Sequence, residues 1–477
     1  MLPVRSWSAA PLLLSSLHVL GVDAIEPVTA VGSKFFHEDG TQYFLKGIAY
    51  QLIPDDPLID TDQCTRDIAR MAELGTNAIR VYHVDPDADH DGCMTALADA
   101  GIYLFVDLDT FDTAIRTDDP QWTREQFDRY TAVLDEFQQY NNTAGVFVGN
   151  EVITAPDNSA AAPYVLAAAR DIKSYRNEKD YRQIPVGYAA ADIAELRPMV
   201  QNYMACRPDA AERLDFFSLN AYEWCGDTTY EESGYENLQN QAADYPIPIF
   251  FSETGCNVAR PRTFGDQHAI FNEPMSNTWS GSIVYEWIQE TNDYGLIDYG
   301  EPVDPAATAG PENRIAQDGF IREGSPNPIA PDFDNLKSQW ATLHPTGVAL
   351  RDYIQSTATI APAECPASTA GGWAVDPNAP LPTLQETFHT AVPTIPSGTR
   401  SAPSRSGSVT ISSGVGSSPT AARSSSASPL SATSYNYTLS NAGSAIPVPG
   451  AQGFRLSRLA DGFALLSALI GGLAVWL

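Results

Sequence analysis

Gly145-Val146-Phe147-Val148-Gly149-Asn150-Glu151 is an apolar run, too short for a helix, that stops on an amide and a carboxylate. A strand buried on both faces reads as such a continuous run, and parallel sheets are built from strands of this kind. Seven more β-rich runs occur at 43–50, 77–83, 102–108, 184–189, 214–220, 247–253 and 281–287. The segments between them, such as 62–74, 123–140 and 163–176, read as helices. In 123–140 the residues Phe127, Tyr130, Val133, Leu134 and Phe137 recur at helical spacing. Strands alternating with helices predict a parallel sheet, and eight such units predict a closed (β/α)8 TIM barrel. An open doubly wound sheet would carry a glycine-rich phosphate loop after its first strand. Lys46-Gly47-Ile48-Ala49-Tyr50 is not one.

A barrel of this type places its chemistry at the C-terminal ends of the strands. Those ends are polar and aromatic here: Tyr50-Gln51, Tyr82-His83, Asp107-Leu108-Asp109, Asn150-Glu151, Tyr222-Glu223-Trp224, Ser252-Glu253 and Tyr285-Glu286-Trp287. Glu151 and Glu253 directly close apolar strands, the fourth and the seventh. Glycoside chemistry needs a proton donor for the leaving oxygen and an anion facing the developing oxocarbenium ion, and two carboxyl groups supply both when their environments differ. In a retaining enzyme they stand about 5 Å apart. Asn150, beside Glu151, suits a hydrogen bond to the sugar 2-hydroxyl. The strand-end aromatics suit stacking on sugar rings. Asp107 and Asp109 either bind sugar hydroxyls or a metal, or pair with Arg80 or Arg116.

Other chemistries find little support. His83, His90 and His268 have no metal-ligand spacing, so a metallohydrolase is disfavoured and no metal or other cofactor is expected. A Gly-x-Ser-x-Gly nucleophile elbow is absent. With 59 acidic against 28 basic residues the formal charge is −31, which repels phosphate polymers and disfavours nucleic acid as a partner. A monomer is expected.

The two ends read as addresses. Residues 1–24 have a basic start at Arg5, an apolar stretch and a small-residue site at Val22-Asp23-Ala24, the pattern of a signal peptide. Residues 441–477 end in an apolar tail from 462 with no basic flank after it. Small residues, a spacer and such a tail form a GPI-attachment signal, with Asn441 the candidate attachment residue, Gly443 an alternative and Gly450-Ala451 a fallback. Between catalytic domain (25–366) and signal, residues 367–440 read as a disordered Ser/Thr/Pro-rich stalk of the kind that carries O-glycans. Asn141 and Asn436 begin N-glycosylation sequons. The expected location is the outer face of the plasma membrane, held by a GPI lipid, and the cell wall. The six cysteines, Cys64, Cys93, Cys206, Cys225, Cys256 and Cys365, suggest three disulfides in a secreted chain, with fifteen pairings open by spacing alone.

Taken in order, Lys46-Gly47-Ile48-Ala49-Tyr50-Gln51, Gly149-Asn150-Glu151, Asn220-Ala221-Tyr222-Glu223-Trp224-Cys225-Gly226, Phe250-Phe251-Ser252-Glu253-Thr254-Gly255-Cys256-Asn257, Pro261-Arg262 and Tyr285-Glu286-Trp287 resemble the fungal GPI-anchored β-1,3-glucanosyltransferases of glycoside hydrolase family 72. The resemblance covers residues 25–365. It implies an enzyme that cleaves β-1,3-glucan internally, holds the fragment on Glu253 and transfers it to the non-reducing end of another glucan. Glu151 would be the acid and then the base. Asn150 would hold the 2-hydroxyl, Tyr222 would hydrogen-bond the nucleophile, and Tyr50, Gln51, Tyr82, Asp107 and Tyr285 would line the glucan site. It also implies the pairs Cys64–Cys93, Cys225–Cys256 and Cys206–Cys365. Thr254 stands where the family usually has Tyr, and Ala221 where it usually has Met. The alternatives are a secreted β-glucanase that hydrolyses instead of transferring, and a catalytically inactive wall-binding protein.

Overall fold

A computed structural model describes residues 25–51, 56–110, 112–304, 319–356 and 361–385. The expected signal peptide, GPI signal, Asn436 and Asn441 lie outside these residues, as does the stalk beyond 385.

The eight apolar runs form the parallel strands β1 (Leu45–Ala49), β2 (Ala78–Val81), β3 (Tyr103–Asp107), β4 (Thr143–Asn150), β5 (Val186–Ala191), β6 (Phe216–Asn220), β7 (Ile249–Thr254) and β8 (Trp279–Val284). They pair in chain order, and β8 pairs with β1 to close the barrel. Each strand is followed by a helix: α1 (Thr61–Leu74), α2 (Asp91–Asp99), α3 (Arg124–Phe137), α4 (Ala162–Glu178), α5 (Arg197–Cys206), α6 (Tyr235–Gln241), α7 (Gly265–Phe271) and α8 (Asp332–Trp340). The residues expected at helical spacing behave as the pattern requires. Tyr130, Val133, Leu134 and Phe137 of α3 are buried against the barrel. A capping box between Thr123 and Gln126 starts this helix by satisfying backbone donors that the first turn leaves free.

The barrel interior is filled from below by aromatic rings. Phe35, on an antiparallel hairpin that precedes β1, lies 6.1 Å from each of the Phe105, Phe216 and Phe250 rings. Two glycines make the room. A Cβ at Gly187 would sit 2.2 Å from the Phe216 ring, and one at Gly145 would sit 2.8 Å from the Phe105 ring. Aromatic rings therefore fill the lower part of the barrel axis, and the buried polar network around Arg80 lies at the upper end.

All three disulfides join the pairs that the resemblance implied: Cys64–Cys93, Cys206–Cys365 and Cys225–Cys256. The second spans 159 residues and ties the segment beyond α8 to α5. The last joins the loops that follow β6 and β7.

One boundary moves. The domain does not stop at 366, because residues up to 385 continue across the helical layer. The Trp373 indole is fully buried, with its ring 5.3 Å from that of Tyr203. Val375 and Leu381 are buried as well. Arg170 and Arg207 donate to the carbonyls of Pro382 and Pro377, each at 2.9 Å. Gln385 exchanges backbone bonds with Trp122 and Arg124 at 3.0 and 2.7 Å. The Ser, Thr and Pro bias of the longer window hid three apolar anchors whose burial fixes this strap.

Candidate active site

The upper ends of β2, β3, β4, β6 and β7 bring one connected polar network together around Arg80. This guanidinium is fully buried and sandwiched between two rings, 4.2 Å from the centre of Tyr82 and 4.4 Å from that of Phe147. Its Nε and Nη2 donate to the two oxygens of Asp107 at 3.0 and 2.8 Å. Nη2 also reaches Asn150 Oδ1 at 3.1 Å, and Nη1 reaches Glu253 Oε1 at 3.4 Å. A planar fork with several fixed donors is what this geometry needs, and lysine could not supply it.

Glu253 at the end of β7 is almost wholly buried. Tyr222 OH donates to its Oε2 at 2.7 Å and Tyr82 OH to its Oε1 at 3.0 Å. With Arg80, three donors from the ends of two strands, β2 and β6, converge on this carboxylate. Burial pushes its pKa up, while the Arg80 charge and the Tyr222 and Tyr82 hydroxyls pull it back.

Glu151 is held differently. It lies in the left-handed region at φ 50, uncommon for a residue with a side chain, and its N–H donates to the Ala189 carbonyl at 2.8 Å. A single amide, Asn220 Nδ2, donates to its Oε1 at 2.9 Å. Asn220 Nδ2 also meets Asn150 Oδ1 at 3.1 Å, and Asn220 Oδ1 accepts from Ser252 Oγ at 2.7 Å. Burial, and then the negative charge of Glu253, push Glu151 up to about 7. The fourth and seventh strands thus carry two carboxyl groups within each other's field. Glu253 receives three anion-stabilising donors and Glu151 one.

The other expected residues divide. Tyr285 sits beyond β8 with its ring 6.5 Å from Tyr82 and 5.3 Å from Tyr294, and Tyr294 lies 5.6 Å from Tyr222. These rings form an aromatic wall beside Glu253. Gln51 and Asp107 are nearly inaccessible and support the site from behind. Gln51 Oε1 accepts from the N–H groups of Tyr82 and His83 at 2.9 and 3.1 Å, and Asp107 spends both oxygens on Arg80. Tyr50 does not join the site. It is 1% exposed, and its hydroxyl donates to Asp67 of α1 at 2.8 Å, so it belongs to the layer between barrel and helices. The alternation of a strand explains this, since neighbouring residues point to opposite faces. Thr254 likewise points outward, donating to Asp266 at 2.8 Å.

Arg80 and Asn220 join the candidate site although the sequence offered Arg80 only as a possible ion-pair partner of Asp107 or Asp109 and did not select Asn220. Arg80 carried a signal, a charged residue inside the apolar run Ala78-Ile79-Arg80-Val81. Asn220 stood in a quoted motif, at the end of a buried strand.

A barrel with a carboxyl pair at the ends of strands four and seven, set among aromatic rings, defines a glycoside-processing site. Residues 18–307 match the glucanosyltransferase family, glycoside hydrolase family 72. The chain is 40% identical over 369 residues to the 1,3-beta-glucanosyltransferase gas2 of Schizosaccharomyces pombe, covering 74% of this chain and 75% of that protein. It is 40% identical over 350 residues to the 1,3-beta-glucanosyltransferase PGA5 of Candida albicans, covering 68% of this chain and 51% of the relative. The matched region thus spans between about half and three quarters of these two curated relatives. A solved structure of Saccharomyces cerevisiae Gas2, as a mutant in complex with laminaritetraose and laminaripentaose, superposes with a TM-score of 0.65 at 36% identity, covering 75% of each chain. The chain belongs to glycoside hydrolase family 72.

Proposed function

We propose that this protein is a retaining β-1,3-glucanosyltransferase. The observation that carries the mechanism is the unequal treatment of the two carboxyl groups. Three donors, one of them a guanidinium, favour the anion at Glu253, whereas Glu151 has one neutral donor and faces that anion. The pair therefore holds one proton, and it resides on Glu151.

In the first step a Glu253 oxygen attacks the anomeric carbon of the donor glucan. The glycosidic bond breaks, and the Glu151 proton passes to the leaving oxygen. In the second step Glu151 takes the proton of an acceptor 3-hydroxyl as that oxygen displaces Glu253, restoring both groups. Tyr222 and Tyr82 hold the attacking carboxylate, and Asn150, fixed by Arg80 and Asn220, is placed for the sugar 2-hydroxyl. The Tyr285, Tyr294 and Tyr222 rings offer faces for the glucan chain, and such stacking on the acceptor side raises the local concentration of sugar over water. The proposed catalyst acts as a monomer outside the cell, tethered by a GPI lipid at Asn441. Asn141, exposed in the turn before β4, and Asn436 are the proposed glycan sites.

Incubating the secreted chain with a reduced laminari-oligosaccharide and resolving product sizes tests the reading. Products longer than the starting chain support transfer. Shorter products alone would leave a glucanase.

A further inference from the structure

We infer that Asn257 and Arg262 are positioning residues. From the loop after β7 they clamp the segment 285–295 after β8, and so hold the Tyr285 and Tyr294 rings in place beside Glu253. The inference rests on the glucan-active reading above and concerns two residues that the proposed mechanism leaves without a part.

Tyr285 and Tyr294 lie on one excursion of the chain, which leaves β8, turns and comes back. The Glu286 N–H donates to the Tyr294 carbonyl at 3.2 Å, and the Leu296 N–H to the Glu286 carbonyl at 3.1 Å. Asn292 braces the turn from within. Its Nδ2 donates to Glu286 Oε1 at 2.7 Å, and its Oδ1 accepts from the Tyr294 N–H at 3.1 Å. At the tip, Asp293 lies in the left-handed region at φ 61. A residue with a side chain keeps that conformation only where its surroundings enforce it.

The neighbouring loop, residues 255–264, supplies the enforcement. Asn257 Nδ2 donates to the carbonyls of Asn292 and Asp293 at 2.8 and 3.1 Å, gripping the strained tip. Arg262 grips the base. Its Nη1 donates to the Tyr285 carbonyl and its Nη2 to the Gly295 carbonyl, each at 3.1 Å, so one guanidinium bridges the two ends of the excursion. Its Nε donates to Asp332 of α8 at 2.8 Å, which fixes the fork itself. A planar group with several fixed donors can make these three bonds together, and an ammonium cannot. Arg262 is 2% exposed, too buried to meet a sugar, so its influence passes through the backbone it holds. Asn257 directly follows Cys256, whose disulfide to Cys225 ties this loop to the one that carries Tyr222. The strand that carries Glu253, the Tyr222 donor and the aromatic wall thus share one frame. Rings ordered before the sugar arrives lose little freedom on binding it. Loss of the clamp therefore weakens glucan binding more than it slows the chemical step.

Steady-state kinetics on laminari-oligosaccharide compare the parent with Asn257→Ala and Arg262→Lys. Asn257 is half-buried, so its truncation leaves the core packing intact, and Lys at 262 keeps a cation for Asp332. Loss of about one net hydrogen bond of ordering should raise KM about five- to tenfold in each, with kcat within about twofold of the parent. In a Tyr294→Ala background, Asn257→Ala should raise KM by less than about twofold, because the ring it positions is gone. An active Asn257→Ala protein with an unchanged KM would overturn the clamp and leave the function standing. So would a fall in kcat at constant KM, or full additivity with Tyr294→Ala, which would mean that Asn257 acts apart from the wall. A folded parent that neither binds nor turns over laminari-oligosaccharide would overturn both readings.

Discussion

Replacing Glu151 by Gln should abolish turnover and, at alkaline pH, stabilise the protein. Burial and the neighbouring Glu253 charge move Glu151 from 4.5 to about 7 in the folded chain. A carboxyl whose folded pKa lies above its unfolded value contributes stability below the unfolded value, and this is lost as pH rises through the folded one. Between pH 4.5 and 7 the parent therefore loses stability through this residue. A shift of that size corresponds to about 3 kcal/mol, and water in the open groove reduces the expected effect to roughly 2–3 kcal/mol. Gln keeps an acceptor for Asn220 and never ionises. Guanidinium denaturation of both proteins at pH 4 and pH 8 measures the effect. Parent and variant should differ little at pH 4, and the variant should be more stable by about 2–3 kcal/mol at pH 8. A difference independent of pH would refute the assignment of the shared proton to Glu151. The parent kcat/KM should fall on its alkaline side with an apparent value near 7 for the same reason.

Tyr222→Phe removes one donor to the Glu253 anion and should lower kcat by roughly ten- to a hundredfold with a smaller change in KM, read from steady-state kinetics. Arg80→Leu leaves Asp107 buried without its partner and should destabilise the domain by about 3–5 kcal/mol in denaturant titrations. Tyr50→Phe should cost about 1 kcal/mol of stability through the lost bond to Asp67 and leave KM for glucan unchanged, where a groove residue would raise it.

The strands and helices were legible because a buried parallel strand and an amphipathic helix each leave a distinct apolar period. The carboxyl pair of the candidate site was legible because Glu151 and Glu253 end apolar runs where a barrel opens. Support behind them was harder to see. Gln51 and Asp107 stand at strand ends as a sugar ligand would, and the sequence left Asp107 open between a sugar and Arg80; only the pairing of neighbouring strands shows that Asp107 takes Arg80 and Gln51 takes the Tyr82 amide. Tyr50 was misplaced because its position at a strand end says nothing about which face it takes. Residues 366–385 were misread because composition averaged over a long window conceals single anchors such as Trp373.

In the proposed mechanism Glu253 carries the sugar between the two steps. In Glu151→Gln, a β-configured laminari-oligosaccharyl fluoride needs no acid to leave, while release of the covalent intermediate lacks its base. Intact-mass analysis followed by peptide mapping should find the glycosyl adduct on the peptide containing Glu253. An adduct on another residue, or turnover of the fluoride with inversion and no adduct, would contradict the account.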